Sequence, residues 1–177
     1  EGLENGKFTL LITSGSFGLG PTEAVLQVLR EFGNRIQVMV VCGRNEVLLK
    51  TIEREVYPFK LRLYGFVSHM DELMEASDLL IAKPGGATTS ECLAKGIPMV
   101  VLDPIPGQEA GNANLLRERN AAFFMGKPED IRTLLKGILD HPQVLEEKRR
   151  SIEKLGQPDS SLQLARFVLS KLKNAAV

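Results

Sequence analysis

Lys83-Pro-Gly-Gly-Ala-Thr-Thr-Ser-Glu91 follows directly on the apolar run Leu79-Leu-Ile-Ala82 and leads into a helical stretch ending near Lys95. A buried strand that runs into glycines and then a helix is the βα joint of a parallel sheet, because parallel neighbours need crossover connections. The same order recurs on both sides. Upstream, Phe8-Thr-Leu-Leu-Ile-Thr13 reads as a strand, 14–20 as a glycine-rich loop, and 21–32 as a helix with Pro21 at its first position. Residues 36–42 repeat the strand signal, Gly43-Arg-Asn45 is its turn, and 46–55 carries helical apolar positions at Val47, Leu48 and Ile52. Residues 61–64 form a third strand, followed by Gly65-Phe-Val-Ser-His69 and a short helix through Leu73 and Met74. Downstream the order is a helix over 88–95, a strand over 98–102, a Pro/Gly-rich loop over 103–109, a helix through Leu115 and Leu116, and a short strand over 121–124. From Pro128 the chain reads as helices broken at His141-Pro142 and Gly156-Gln-Pro158.

Six strand signals separated by helices predict an α/β fold: a doubly wound, six-stranded parallel, Rossmann-like sheet. Ligands of such sheets bind outside the carboxyl ends of the strands. The loops 14–20, 43–45, 65–69, 83–88 and 103–109 all fall there, so five loops are expected on one rim.

With 177 residues the chain is sized for one domain, 1–177. Lys plus Arg equals Asp plus Glu at 22 each, which leaves no global field for nucleic acid. Cys42 and Cys92 are the only cysteines and His69 and His141 the only histidines, without metal-ligand spacing. This usage fits a reduced, metal-free, cytoplasmic protein. No apolar run approaches the roughly 20 residues needed to span a bilayer, and no signal peptide opens the chain. It begins Glu1-Gly-Leu-Glu-Asn-Gly6 rather than with Met, the form expected of a domain taken from a longer protein.

Each loop has a chemical and a plain reading. Gly15, Gly18 and Gly20 match neither G-x-G-x-x-G nor a P-loop, since Pro21-Thr22 follows in place of a lysine. The plain alternative is a tight turn that needs glycine. The tip of the second strand carries Arg44 rather than the acid that NAD would want, leaving NADP, with Arg44 on its 2′-phosphate, as an alternative. Thr88-x-x-Glu91 is also a capping box, in which both side chains satisfy backbone donors. Gly85-Gly86 before it exceeds what capping asks and favours a diphosphate cradle, with backbone N–H groups at the helix start attracting an anion. Gln108, Glu109 and Asn112 bring amide and carboxylate groups to one helix start, a mixture suited to sugar hydroxyls. Lys83 and His69 are read as solvated surface residues, and Cys42 and Cys92 as small core fillers.

The run Lys83–Glu91, with Gly96-Ile-Pro98 and Pro104-x-Pro-Gly-Gln-Glu-x-x-Asn112, resembles the carboxyl-terminal half of the diacylglycerol glycosyltransferases. These are the bacterial processive glucosyltransferases and the plant-type monogalactosyldiacylglycerol synthases. More distantly it is similar to the peptidoglycan enzyme that adds N-acetylglucosamine to lipid I. The resemblance covers essentially the whole chain and implies the donor domain of a GT-B glycosyltransferase. It implies that Phe66 and Val67 flank uracil, and that Glu91 binds the ribose. Ser16, Gly86, Ala87 and Thr88 would hold the diphosphate. Gln108 and Glu109 would face the sugar, with Asn112 supporting their loop. The first loop, Ser14-Gly-Ser-Phe-Gly-Leu-Gly20, departs from close relatives in its side chains, and this bears on Ser16.

The resemblance further implies UDP-glucose or UDP-galactose as donor and a lipid acceptor, with diacylglycerol in first place. The acceptor surface, the membrane contact and the catalytic base would belong to an amino-terminal domain absent from this chain. No catalytic residue is therefore assigned here, and the isolated domain is expected to be inactive. The full-length protein would sit peripherally on the inner face of the cell membrane. No Asp-x-Asp is present to hold a metal, so transfer is expected to be metal-independent and inverting, with the helix start at Ala87-Thr88 stabilising the departing diphosphate. No cofactor is expected. Two alternatives stand beside this: a standalone donor-binding subunit that recruits a separate acceptor subunit, and an NADP-binding oxidoreductase domain.

Overall fold

The computed structural model describes residues 2–13, 15, 20–102, 107 and 109–175, with side chains to 172. Its centre is a six-stranded sheet of β1 (Phe8–Thr13), β2 (Ile36–Val41), β3 (Lys60–Tyr64), β4 (Leu79–Ala82), β5 (Met99–Leu102) and β6 (Ala122–Met125). Every pairing is parallel, and the order is β3-β2-β1-β4-β5-β6. The doubly wound expectation therefore holds, with the strand order reversing between β1 and β4.

Alternation along the strands divides the apolar side chains between two faces. Leu10, Ile12, Val38, Val40, Ile81 and Val100 point to one side. They meet α1 (Thr22–Leu29), α2 (Glu46–Glu53) and α6 (Asp130–Asp140) through Leu26, Ile52 and Leu135. Leu11, Met39, Leu80 and Val101 point to the other. There they meet α3 (Met70–Glu75), α4 (Gly86–Lys95), α5 (Ala110–Glu118) and α7 (Gln143–Glu153) through Leu73, Cys92, Leu116 and Ile152. Central strands buried on both faces explain why β1, β2 and β4 read as continuous apolar runs. The last helix, α8 (Ser160–Ala175), leaves Leu162, Leu164, Phe167 and Leu172 exposed.

Several boundaries move for identifiable reasons. Pro21 is the N-cap of α1 rather than its first residue: its φ/ψ of −83°/41° is not helical, and its carbonyl accepts from Val25 N–H at 3.0 Å. That helix ends at Leu29 and continues as a 3₁₀ segment, Arg30–Arg35, broken where Gly33 takes φ 49°. β5 begins at Met99 because Pro98 has no N–H for the ladder; its carbonyl still accepts from Leu80 at 2.9 Å. β6 begins one residue late because Ala121 N–H closes the end of α5 on Leu116 O at 2.8 Å, beyond Asn120 at φ 52°.

The largest consequence lies at α4. Gly85 is its N-cap, extended at φ −63° and ψ 151°, and its carbonyl accepts from Thr89 N–H at 2.8 Å. The helix thus starts at Gly86, two residues before the expected Thr88. Thr88 is then the third helical residue and no cap, and Glu91 lies in the second turn rather than the first. The capping box does not form, and no side chain caps this helix.

Candidate functional site

The crossover between β1 and β4 opens a crevice at the carboxyl ends of the strands. A cavity of about 180 Å³ occupies it, lined by Thr13 and Gly15 after β1, Val41 and Gly43 after β2, Phe66 and Val67 after β3, Met70 and Met74 of α3, and Thr88 and Glu91 of α4. Residues from three strand ends and two helices therefore share one chamber. Val41, Val67, Met70 and Met74 give it apolar lining, while Thr13, Thr88 and Glu91 bring polar groups.

Phe66, Val67, Thr88 and Glu91 were all expected at the site, and the fold brings them to this cavity. Thr88 and Glu91 are three residues apart, which places them on one face of α4. Phe66 is 64% exposed and forms the outer wall. Gly86 and Ala87 are exposed at the start of α4 beside the cavity rather than within its lining. The amides of Gly86, Ala87 and Thr88 precede the first intrahelical bond, donated by Thr89, so they face outward without a helical partner. The helix dipole places its positive end there.

Neither glycine before this helix is required by its backbone. Gly85 takes φ −63°, Gly86 is helical, and a Cβ added to either would meet no described atom within 4 Å. Both positions are open to approach at the start of α4. Lys83 is half-buried at the end of β4, and Gly85 N–H closes a tight turn on its carbonyl at 2.9 Å.

Asn112 is the third residue of α5, and its Nδ2 donates to Pro84 O at 2.9 Å. It therefore braces the β4–α4 turn. Glu109 is the N-cap residue of α5, half-buried at φ −107°. Ser16 and Gln108 lie outside the described residues, as do positions 103–106. His69 is the N-cap residue of α3, with no capping bond from its side chain and an edge-on contact to Tyr64 at 6.5 Å between ring centres.

The two cysteines are buried and free. Burial pushes the Cys42 thiol up to about 11 and Cys92 up to about 12, the latter helped by the Glu91 carboxylate next to it. Neither is a thiolate at neutral pH, and both fill core space as expected. Among the described residues, no group of three or more His, Cys, Asp or Glu converges as a metal site. No helix among them is long and apolar enough to cross a membrane.

Part of the cavity lining was not anticipated from sequence. Thr13, Val41 and Met70 carry no motif, although taking the last residue of each strand would have named two of them. Arg44 was noticed only as a possible phosphate ligand. Its guanidinium lies over the Phe66 ring, 5.5 Å from the centroid.

An open parallel sheet in this strand order, with its cavity at the crossover and an uncapped helix start beside it, defines a doubly wound α/β domain of the Rossmann-like type. Residues 9–162 match the glycosyltransferase family 28 C-terminal domain, and the chain belongs to that family. It is 35% identical over 157 residues to a processive diacylglycerol beta-glucosyltransferase of Bacillus licheniformis, covering 88% of this chain and 41% of that protein. It is 30% identical over 167 residues to a probable chloroplastic monogalactosyldiacylglycerol synthase 2 of Oryza sativa subsp. japonica, covering 90% and 36%. The crystal structure of Acinetobacter baumannii MurG superimposes with a TM-score of 0.75 at 20% identity, over 95% of this chain and 51% of that one. The chain thus spans less than half the length of these two curated relatives. The fold is that of the carboxyl-terminal half of a GT-B glycosyltransferase, as the resemblance implied.

Proposed function

We propose that this chain is the donor-binding half of a glycosyltransferase that moves a hexose from a UDP-sugar to a lipid, with diacylglycerol as the acceptor. One observation carries the reading: Thr88 and Glu91 share a single cavity with Phe66 and Val67, beside the outward-facing amides of Gly86, Ala87 and Thr88. In this reading Phe66 and Val67 flank the uracil. The Glu91 carboxylate accepts from ribose hydroxyls, and the start of α4 takes the diphosphate. Glu109, at the start of α5, faces the sugar, as would Ser16 the phosphates and Gln108 the hexose.

The chemistry follows from where charge develops. As the bond from the anomeric carbon to the diphosphate breaks, negative charge grows on the leaving oxygens, and outward amides at the positive end of α4 stabilise it without reorganising. An acceptor hydroxyl, deprotonated by a base of the amino-terminal half, attacks from the opposite face and inverts the anomeric centre. The helix start performs the stabilisation that a divalent metal performs elsewhere, so the transfer is metal-independent. Diacylglycerol lies in a membrane, so the assembled enzyme works at the membrane's inner surface.

The test is titration calorimetry of the 177-residue chain with UDP, UDP-glucose and UDP-galactose, with and without a chelator. Saturable binding that is indifferent to chelation is expected, with no turnover until the amino-terminal half is supplied. Failure of the folded chain to bind UDP would overturn the donor reading, and loss of binding on chelation would overturn metal independence.

A further inference from the structure

Arg44 stands at the mouth of the cavity with no role in the scheme above. Its position is built in. Gly43 turns the chain at φ 60°, Asn45 N–H bonds back to Cys42 O at 3.1 Å, and the Asn45 side chain caps α2 by accepting from Leu48 N–H at 2.9 Å. Cys42 N–H in turn bonds to Tyr64 O at 2.9 Å, which ties this turn to the end of β3, just ahead of Phe66. Gly43 and Phe66 both line the cavity, and Arg44 bridges them from outside. Arg44 is exposed and forms no ion pair with a described residue, yet its guanidinium lies within cation–π range of the ring. A long cation resting on an aromatic wall instead of a carboxylate is available to a ligand.

We infer that Arg44 is a specificity-determining residue for the nucleobase: it closes the base against Phe66 and donates to the carbonyl that uracil has and cytosine lacks. The inference rests on the donor-site reading. A guanidinium offers five N–H donors in a planar fork and no acceptor. It can serve the uracil 4-carbonyl, whereas cytosine presents an amino group there, a donor facing donors. Its plane stacks on a base or a ring alike, as point-charge ammonium does not. The same group would recognise UDP and disfavour CDP.

The experiment compares UDP, CDP and uridine binding by calorimetry and competition for the wild-type chain, Arg44→Ala, Arg44→Lys and Glu91→Ala. The wild type is expected to prefer UDP to CDP. Arg44→Ala should weaken UDP about tenfold or more, as a lost charge-assisted hydrogen bond does, with a smaller effect on CDP. Uridine should weaken by the same factor as UDP, and Arg44→Lys should not restore the preference. Equal losses for UDP and CDP, or a loss for UDP with uridine unaffected, would overturn the inference by placing Arg44 at the phosphates. A silent Arg44→Ala beside a weakened Glu91→Ala would overturn it and leave the donor reading standing. A folded wild type that binds no UDP overturns both.

Discussion

At Glu91, two roles separate by what each would cost. A capping-box glutamate would stabilise the helix start, and replacing it would lower stability by roughly 1 kcal/mol. Here α4 begins at Gly86, Glu91 is exposed in the second turn, and no side chain caps the helix. Glu91 lines the cavity instead. Glu91→Ala is therefore expected to leave the urea midpoint unchanged and to weaken UDP binding by about 1–3 kcal/mol, the usual range for hydrogen bonds to a charged group. Denaturation and calorimetry on one preparation separate the two, and a stability loss without an affinity loss would restore the capping role. Asn112 shows the converse: a residue read as a ligand contributor spends a donor on Pro84 O and holds the turn that the ligand must approach.

The element that matters most is α4. Its carboxyl end is secured by Gly96 in the left-handed region at φ 72°, with Ile97 N–H bonding back to Cys92 O at 3.1 Å. Its buried face sets Thr89 and Cys92 against the sheet. The amino end, by contrast, has Gly85 as its cap residue and an open approach at Gly86. Gly86→Ala gains helix propensity, up to about 0.5–1 kcal/mol, and adds a methyl group at the exposed start of the helix. Stability is expected to hold or rise while UDP affinity falls, with thermal melts and calorimetry moving in opposite directions. An alanine variant that binds UDP as the parent does would remove the close-approach argument for this glycine.

For the molecule as a whole, the two-faced core carries a pH signature. Cys42 and Cys92 titrate at about 11 and about 12 in the folded chain against an ordinary 9.0, and burial likewise raises Tyr57 from 10.0 to about 12. The folded state keeps protons that the unfolded chain gives up, so stability is whole below about pH 9 and falls as pH rises toward about 11–12. Urea midpoints should be flat from about pH 7 to 8.5 and decline above it, and Cys42→Ala with Cys92→Ala should flatten the early part of that decline. Thiol reagents at neutral pH are expected to label neither cysteine until the chain is unfolded. Rapid labelling of the native protein would contradict the packing of both faces.

The parallel architecture and the family were legible in the linear order of residues. Strands buried on both faces must be apolar throughout, and their connections must be helices, so pattern and topology are linked one to one. Motif spacing pointed to Thr88 and Glu91 and the resemblance to Phe66 and Val67, and the fold brings all four to one cavity. Helix starts were less legible. Whether α4 begins at Gly86 or Thr88 depends on which carbonyl the first turn closes upon, and Gly85 O wins through the path the chain takes out of β4. The sheet order, the cavity lining of Thr13, Val41 and Met70, the Asn112 brace and the Arg44–Phe66 contact join residues distant in sequence. Local propensity has no term for such pairs, because their energy exists only after the strands are laid side by side.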